Sequence, residues 1–345
     1  MPSPPINAEP APPCVLVVIV AFEAGAYLQR CIDALEAQTF RDWRAIVWDN
    51  ASSDGAVEGL VVGERVARRR SEENLGFAAA NNRAAALLQS RYVATLNPDA
   101  FADPQWLARL VQTAEAFGVE AVGSLQLDDL DPDRLDGAGD CMSVAGFAWR
   151  GGYGHPAVSA PQEVCEIFAP CAAAALYRRD AFEAQGGFDE RFFCYYEDVD
   201  LGFRLRLAGG ICLLDPRARV RHVGSGVTRT ISGFAEYHGF RNRIWSFLRN
   251  MPAPLLPIAA PAHMLLTLYI LARSPDLLEV RLRALRDAYA GGRAFLQDRI
   301  PGGKASPGLL RALTWSPIAL SRRAVKARAF QVTAPAQGAT NASET

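Results

Sequence analysis

The sequence predicts an α/β protein with a mostly parallel central sheet flanked by helices, followed by a helical C-terminal extension. Three observations carry this. Apolar, β-branched runs alternate with helix-like spans from Val15 to Leu127, which is the pattern of a parallel, doubly wound sheet. Asn, Asp and Ser cluster just after those runs, where such sheets bind ligands. From 241 to 330 the chain carries 15 Lys and Arg against 4 Asp and Glu and long apolar helical stretches.

The first run, CVLVVIVAF, reads as a strand buried on both faces. Between Ala24 and Gln38, Leu28, Cys31, Ile32 and Leu35 share one helical face. WRAIVWD is a second strand ending at Asp49, and Asn50–Gly55 is a loop. A weaker strand spans Arg65–Ser71, a helix runs from Gly76 to Gln89, and YVATLN is a strand ending at Asn97. Pro104 opens a helix with Trp106, Leu107, Leu110 and Val111 on its face, and VEAVGSLQL is the next strand. Asp128–Asp140 reads as an acidic loop and VCEIFAPCAAAALY as extended, then buried. Arg178–Gln185 is a short helix stopped by Gly186-Gly187, Glu197–Ala208 a helix, and ICLLD a late strand with His222 just beyond it.

The expected organisation is a Pro-rich leader over 1–13, a catalytic domain over 14–250, a basic helical region over 251–330 and a polar tail over 331–345. The leader has no basic start and so is no secretory signal. With 345 residues, half of them hydrophobic, and a net charge of −1, the chain is neither disordered nor a disulfide scaffold. A pI near 6.5 argues against a nucleic-acid binder. The seven cysteines form no C-x-x-C pair, which fits reduced thiols in the cytoplasm rather than a zinc site or disulfide framework. Pro252–Ala272 is nearly long enough to cross a bilayer but holds four prolines. It reads either as a segment docking peripherally on the cytoplasmic face of the inner membrane or as an ordinary core helix.

The polar residues narrow the chemistry. After the first strand AFEAGAY supplies one glycine where a dinucleotide fingerprint needs three, and no P-loop occurs. Phosphate must be handled another way, and Asn97-Pro98-Asp99 at a strand's carboxyl end suits Mg²⁺ or Mn²⁺, although Asp99 also suits a turn cap. Asp49 can accept the imide N–H of a base or cap a turn. Glu197 and Asp198 open a helix, where negative charge is favourable in itself and where a carboxylate can serve as a general base.

In order, these pieces are D-N-x-S-S-D, N-L-G-F, N-P-D, GGFDERFFCYYEDVDLGFRLRLAGG and a D-P-x-A-x-V-x-H run ending at His222. The stretch Val15–Pro252 resembles the family 2 glycosyltransferases of GT-A fold, particularly the rhamnosyltransferase-like subgroup. The resemblance implies a metal-dependent, inverting transfer of sugar, L-rhamnose from dTDP-rhamnose, to a saccharide or lipid-linked saccharide in surface polysaccharide synthesis. It implies that Asp198 is the catalytic base with Glu197 beside it. Phe22, Asp49, Asn50, Asn74, Gly76, Asn81, Asn82 and Asn97 would bind the nucleotide-diphosphate donor, and Asp99 with His222 would hold the metal. Arg241 and Asn242 match a downstream R-N pair with no assigned role. Glu23 stands where relatives carry Asn, Asn97 where they carry the first carboxylate of D-x-D, and Ala80, Ala84 and Ala172 where Gly is frequent. A silent relative serving as a binding or assembly subunit would have lost Asp198 or Asp99, and both are present. A sugar-nucleotidyltransferase would need a Gly-rich basic signature that AFEAGAY lacks.

Overall fold

The computed structural model describes residues 12–224, 233–299 and 305–330. The expected tail lies outside these, as does the leader up to residue 11. The first half runs β1 (Val15–Ala21), α1 (Tyr27–Glu36), β2 (Trp43–Asp49), β3 (Val66–Arg70), α2 (Gly76–Ala86), β4 (Tyr92–Leu96), β5 (Ala100–Ala102), α3 (Trp106–Phe117) and β6 (Ala121–Asp128). The middle adds β7 (Leu135–Ala138), β8 (Asp140–Met142), β9 (Ala148–Arg150), β10 (Cys165–Glu166), β11 (Ala174–Arg178), α4 (Arg179–Ala184), α5 (Glu197–Leu207) and β12 (Cys212–His222). The last part holds α6 (Phe234–Asn250), α7 (Leu256–Arg273), α8 (Leu278–Gln297), α9 (Pro307–Ala312), α10 (Pro317–Ser321) and β13 (Arg328–Ala329).

One sheet dominates, in the order β13-β10-β12-β6-β11-β4-β1-β2-β3. Successive residues of β1 serve opposite faces. Val15, Val17 and Ile19 pack with Leu28, Cys31, Ile32 and Leu35 of α1 and Trp106 and Leu107 of α3. Leu16, Val18 and Val20 pack with Ala78, Ala80 and Ala84 of α2 and Leu201 and Leu205 of α5. Each fully buried Leu or Ile contributes about 1.5–3 kcal/mol. The alanines of α2 let that helix lie close to the sheet.

The mostly parallel sheet is as expected, with one strand reversed, and two other expectations change. The sheet is parallel across β4, β1, β2 and β3, but β11 runs antiparallel to both β4 and β6. No α-helix lies between β6 and β11 to carry the chain back, so β11 enters reversed. The acidic stretch 128–140 is not simply a loop: β7 pairs with β6 and β8 starts at Asp140. The late strand does not stop at Asp215. It passes a bulge between Asp215 and Arg219 and ends on His222. Pro216 lacks an N–H and falls inside that bulge.

The C-terminal region joins the same body. β13 pairs with β10, and Trp149 Nε1 donates to Ala324 O at 2.9 Å. Leu255, Ala259, Leu309 and Leu313 share a core with Met142, Phe168 and Phe203. Contacts therefore cross the boundary expected at residues 250–251.

Candidate active site

Strands β1, β2 and β4 end at one rim of the sheet, and the start of α5 faces the same space. Together they line a cleft of about 490 Å³. Phe22, Asn50, Asn74, Gly76, Asn97, Asp99, Glu197, Asp198 and His222 all line it.

On the donor-side wall, Asn50 Nδ2 donates to Asn74 Oδ1 (2.8 Å), and Asn50 Oδ1 accepts from the N–H of Leu75 (3.0 Å). Asn74 Oδ1 also accepts the N–H of Gly76 (2.9 Å). Gly76 has φ +78°, and a Cβ there would sit 2.5 Å from the Phe193 ring, so only glycine fits. Glu23 takes φ 49°, and its Oε1 accepts from both the N–H and hydroxyl of Ser53 (2.8 and 2.9 Å).

Three expected donor residues are not in the lining. Asp49 is 1% exposed, with its carboxylate held by the Ser52 N–H and by Arg70, each at 2.8 Å. Asn81 lies within α2 and donates to Phe77 O at 2.9 Å. Asn82 donates to Phe188 O (2.7 Å) and accepts from Phe188 N–H (3.0 Å), so its amide pins the GGFDE segment to α2.

Asp198 is positioned by both of its oxygens. Oδ2 accepts the N–H of Ala172 (2.9 Å) and Oδ1 that of Val199 (2.8 Å). Burial raises its carboxyl above the ordinary range against those two bonds. Glu197 is raised well above its usual value by burial and then by the charge of Asp198, and its Oε2 is buried without a partner. Gly202 explains why α5 sits where it does. A Cβ there would meet Ala169 Cβ at 2.3 Å, so the helix lies directly on the segment that leads to Ala172.

His222 sits between two carboxylates. Nδ1 is 2.8 Å from Asp136 Oδ2, and Nε2 is 3.2 Å from Asp99 Oδ1. Burial pulls its pKa down, but the bonds to Asp136 and Asp99 outweigh it and push it up to about 9. Arg150 completes the row at 2.6 Å from Asp136.

The family model described as Glycosyl transferase family 2 matches residues 16–186. Over 237 residues, 60% of this chain and 75% of the relative, the sequence is 31% identical to an N-acetylglucosaminyl-diphospho-decaprenol L-rhamnosyltransferase of Mycobacterium tuberculosis. The chain belongs to glycosyl transferase family 2. This glycosyltransferase is also 26% identical to the succinoglycan biosynthesis protein ExoA of Rhizobium meliloti, over 71% of this chain and 74% of that one. Its fold is that of the mannosyltransferase PcManGT from Pyrobaculum calidifontis, a complex with GDP-Man and Mn²⁺ (TM-score 0.53, 17% identity, 84% of this chain and 79% of that one). It is likewise similar to GalNAc-T7 with UDP, GalNAc and Mn²⁺ (TM-score 0.54, 16% identity, 70% of this chain and 48% of that one).

The residues around His222 suit a divalent ion. Asn97 Nδ2 lies 3.4 Å from His222 Nε2, while Asn97 Oδ1 is buried without a hydrogen-bond partner. A carboxylate, an amide oxygen and an imidazole make a donor set that Mn²⁺ accepts and Mg²⁺ tolerates. A second grouping, Asp140, Cys171 and Asp198, has ligand atoms within 4.8 Å of one another. It suits neither ion, because burial pushes the Cys171 thiol up to about 12 and a thiol is a soft ligand.

Sequence reasoning missed Asp136, Asp140 and Arg150 of this glycosyltransferase. Asp140 is held well above the carboxylate range by burial and then by the charge of Asp198. A carboxyl raised in the native state weakens folding as pH climbs from its unfolded value toward the raised one. Asp140→Asn should therefore raise the melting temperature at about pH 7, by on the order of 2 °C. The gain should vanish below about pH 3, where the carboxyl is neutral in both the folded and the unfolded chain. Calorimetry at the two pH values checks this, and a lower melting temperature at neutral pH would mean that attraction to Arg150 dominates.

The R-N pair has a structural role in this glycosyltransferase. Phe193, Tyr195 and Tyr196 all have positive φ (65°, 68° and 72°), unusual for such side chains. Asn242 is fully buried, and its Nδ2 lies within donating distance of the carbonyls of Phe192, Cys194 and Tyr195 (2.9, 2.9 and 2.7 Å). Arg241 donates to Phe192 O at 3.1 Å. This clamp holds the turn that leads into Glu197 and Asp198. Asn242→Ala should cost about 2–4 kcal/mol in urea unfolding, from carbonyls left without a donor. A cost near zero would show that the turn holds itself.

Proposed function

We propose that this enzyme transfers L-rhamnose, with inversion, from dTDP-L-rhamnose to a lipid-linked saccharide on the cytoplasmic side of the membrane, in the assembly of a surface polysaccharide. The observation that carries the reading is one cleft lined by a doubly held carboxylate, Asp198, and by the Asn97–Asp99–His222 group. The identity to a rhamnosyltransferase that acts on N-acetylglucosaminyl-diphospho-decaprenol supports both sugar and acceptor class.

Asp198 takes the proton of the acceptor hydroxyl as that oxygen forms its bond to the anomeric carbon and the bond to the nucleotide diphosphate breaks. The N–H groups of Ala172 and Val199 stop the carboxylate from rotating, and its raised pKa brings it nearer neutrality, where a base is effective. Glu197, raised well above its usual value by burial and by the charge of Asp198, lies beside it in the lining of the cleft. Asn50, Asn74 and Gly76 form the wall against which the nucleotide lies. Asp99, His222 and the Asn97 amide oxygen would hold a Mg²⁺ or Mn²⁺, which would supply positive charge to the leaving diphosphate.

The test is a panel of nucleotide sugars against a polyprenyl-diphosphate-linked N-acetylglucosamine acceptor. Transfer from dTDP-L-rhamnose alone, giving a product of opposite anomeric configuration, is expected. Preference for another sugar, or retention, overturns the reading.

A further inference from the structure

Helix α7 is built inside out. The residues it turns toward the protein are Ala259, His263 and Thr267, spaced four apart. His263 Nδ1 lies 2.8 Å from Ala145 O, and Thr267 Oγ1 accepts from Arg243 at 3.2 Å. Its outward face is apolar, with Ile258, Met264, Leu265, Leu268 and Tyr269 each more than half exposed. Mean hydropathy reaches 1.8 over Ala253–Arg273, yet only 22% of that window is buried. A core helix would be mostly covered, so that expectation is not met. Burial and the charge of Arg243 lower His263 to about 4, so at neutral pH the helix carries no charge before Arg273.

The next helix continues the pattern. Leu282, Arg286, Tyr289, Arg293 and Leu296 of α8 follow a 4-3-4-3 spacing on one exposed face, with Tyr289 89% exposed. Arginine, tyrosine and leucine on one stripe match a boundary between acyl chains and phosphates. Arg286 and Arg293 are exposed, and between 241 and 330 the sequence carries 15 Lys and Arg against 4 Asp and Glu.

We propose that α7 and α8 form a docking surface for an anionic lipid bilayer. The outward face of α7 enters the acyl-chain boundary, and Arg273, Arg286 and Arg293 meet headgroup phosphates. The helix lies in the interface rather than spanning it. To span, it would have to leave its bonds to Ala145 and Arg243 and expose His263, Thr267 and the backbone freed by Pro261 to hydrocarbon.

This inference does not depend on the sugar or acceptor proposed above. The full chain is floated with phosphatidylcholine vesicles, with and without one third phosphatidylglycerol. Flotation is expected with the anionic vesicles and should weaken as salt rises. Leu265→Gln/Leu268→Gln should abolish it, and Arg286→Ala/Arg293→Ala should weaken it roughly 30-fold. Both variants should keep wild-type transfer to a water-soluble acceptor, which shows that they fold and separates failed docking from a wrong donor or acceptor. Absence of flotation, or equal flotation with neutral vesicles, overturns the proposal. So does wild-type self-association in light scattering that Leu265→Gln/Leu268→Gln abolishes without any vesicle binding, because a second copy would then cover the face.

Discussion

Replacing Asp198 by Asn lowers sugar transfer by about 10²–10⁴-fold while donor affinity stays close to wild type. That range is the usual contribution of a positioned base. The substitution is nearly isosteric, and the amide oxygen can still accept from Ala172 or Val199, whose N–H groups hold the carboxylate at 2.9 and 2.8 Å. What is lost is the ability to take a proton. The acid limb of the pH profile for kcat/KM should reflect the raised carboxyl, with rate increasing as pH rises through it. In Asp198→Asn that limb should disappear from whatever rate remains. Transfer near the wild-type rate would remove Asp198 from the role of base and turn attention to Asp140, whose carboxyl reaches the same space.

Chelation of divalent ions should abolish transfer, and Asp99→Ala should reduce it by at least about 10²-fold, as loss of charge stabilisation at a leaving group does. Only one protein carboxylate, Asp99, stands in the Asn97–Asp99–His222 set, so no second one compensates. Asp99 Oδ1 lies 3.2 Å from His222 Nε2, and the bonds to Asp136 and Asp99 push that imidazole's pKa up to about 9, which favours its protonated form. An incoming cation must displace that proton, so ion affinity should rise with pH. Calorimetric titration of the donor with and without Mn²⁺ reads the effect directly. Wild-type protein should bind the donor more tightly with the ion, and Asp99→Ala should lose that difference. Equal affinity in both conditions would return Asp99 to the role of a turn cap.

Much of this was legible in the residue pattern because it depends on local periodicity. β1, β2, α1 and α3 bury the faces that hydrophobic spacing selects, and β2 ends on Asp49. Nine of the residues singled out for chemistry line one cleft, because a parallel sheet gathers the ends of its strands at one rim. Long-range pairing was not legible. The bond from Asp136 to His222 joins residues 86 positions apart, and nothing local marks either as the other's partner. Asp49 and Asn82 were read as ligand groups because their type fits, but side-chain type does not reveal that Arg70 or Phe188 already occupies them. The second half of β12 did carry a signal. RARVRH alternates strictly between exposed arginines and buried residues, which is the period of a strand. Pro216, which has no N–H to give the ladder, separates that half from ICLLD.

That bulge has a consequence for how the strand may vary. Opposite Ser124 and Leu125, which are adjacent on β6, stand Asp215 and Arg219, so β12 spends three extra residues there. Three is odd, and the alternation changes phase across it. Before the bulge, the even-numbered Cys212 and Leu214 face the α2 and α5 layer. After it, the even-numbered Ala218 and Val220 face the α1 and α3 layer. β12 is thus two half-strands out of step: the first half feeds both layers, with Leu213 on the α1 and α3 side, whereas the buried Ala218 and Val220 of the second half feed the α1 and α3 side alone. Deleting or adding one residue within the bulge should therefore turn Ala218 and Val220 to the wrong face and displace the end of the strand at His222.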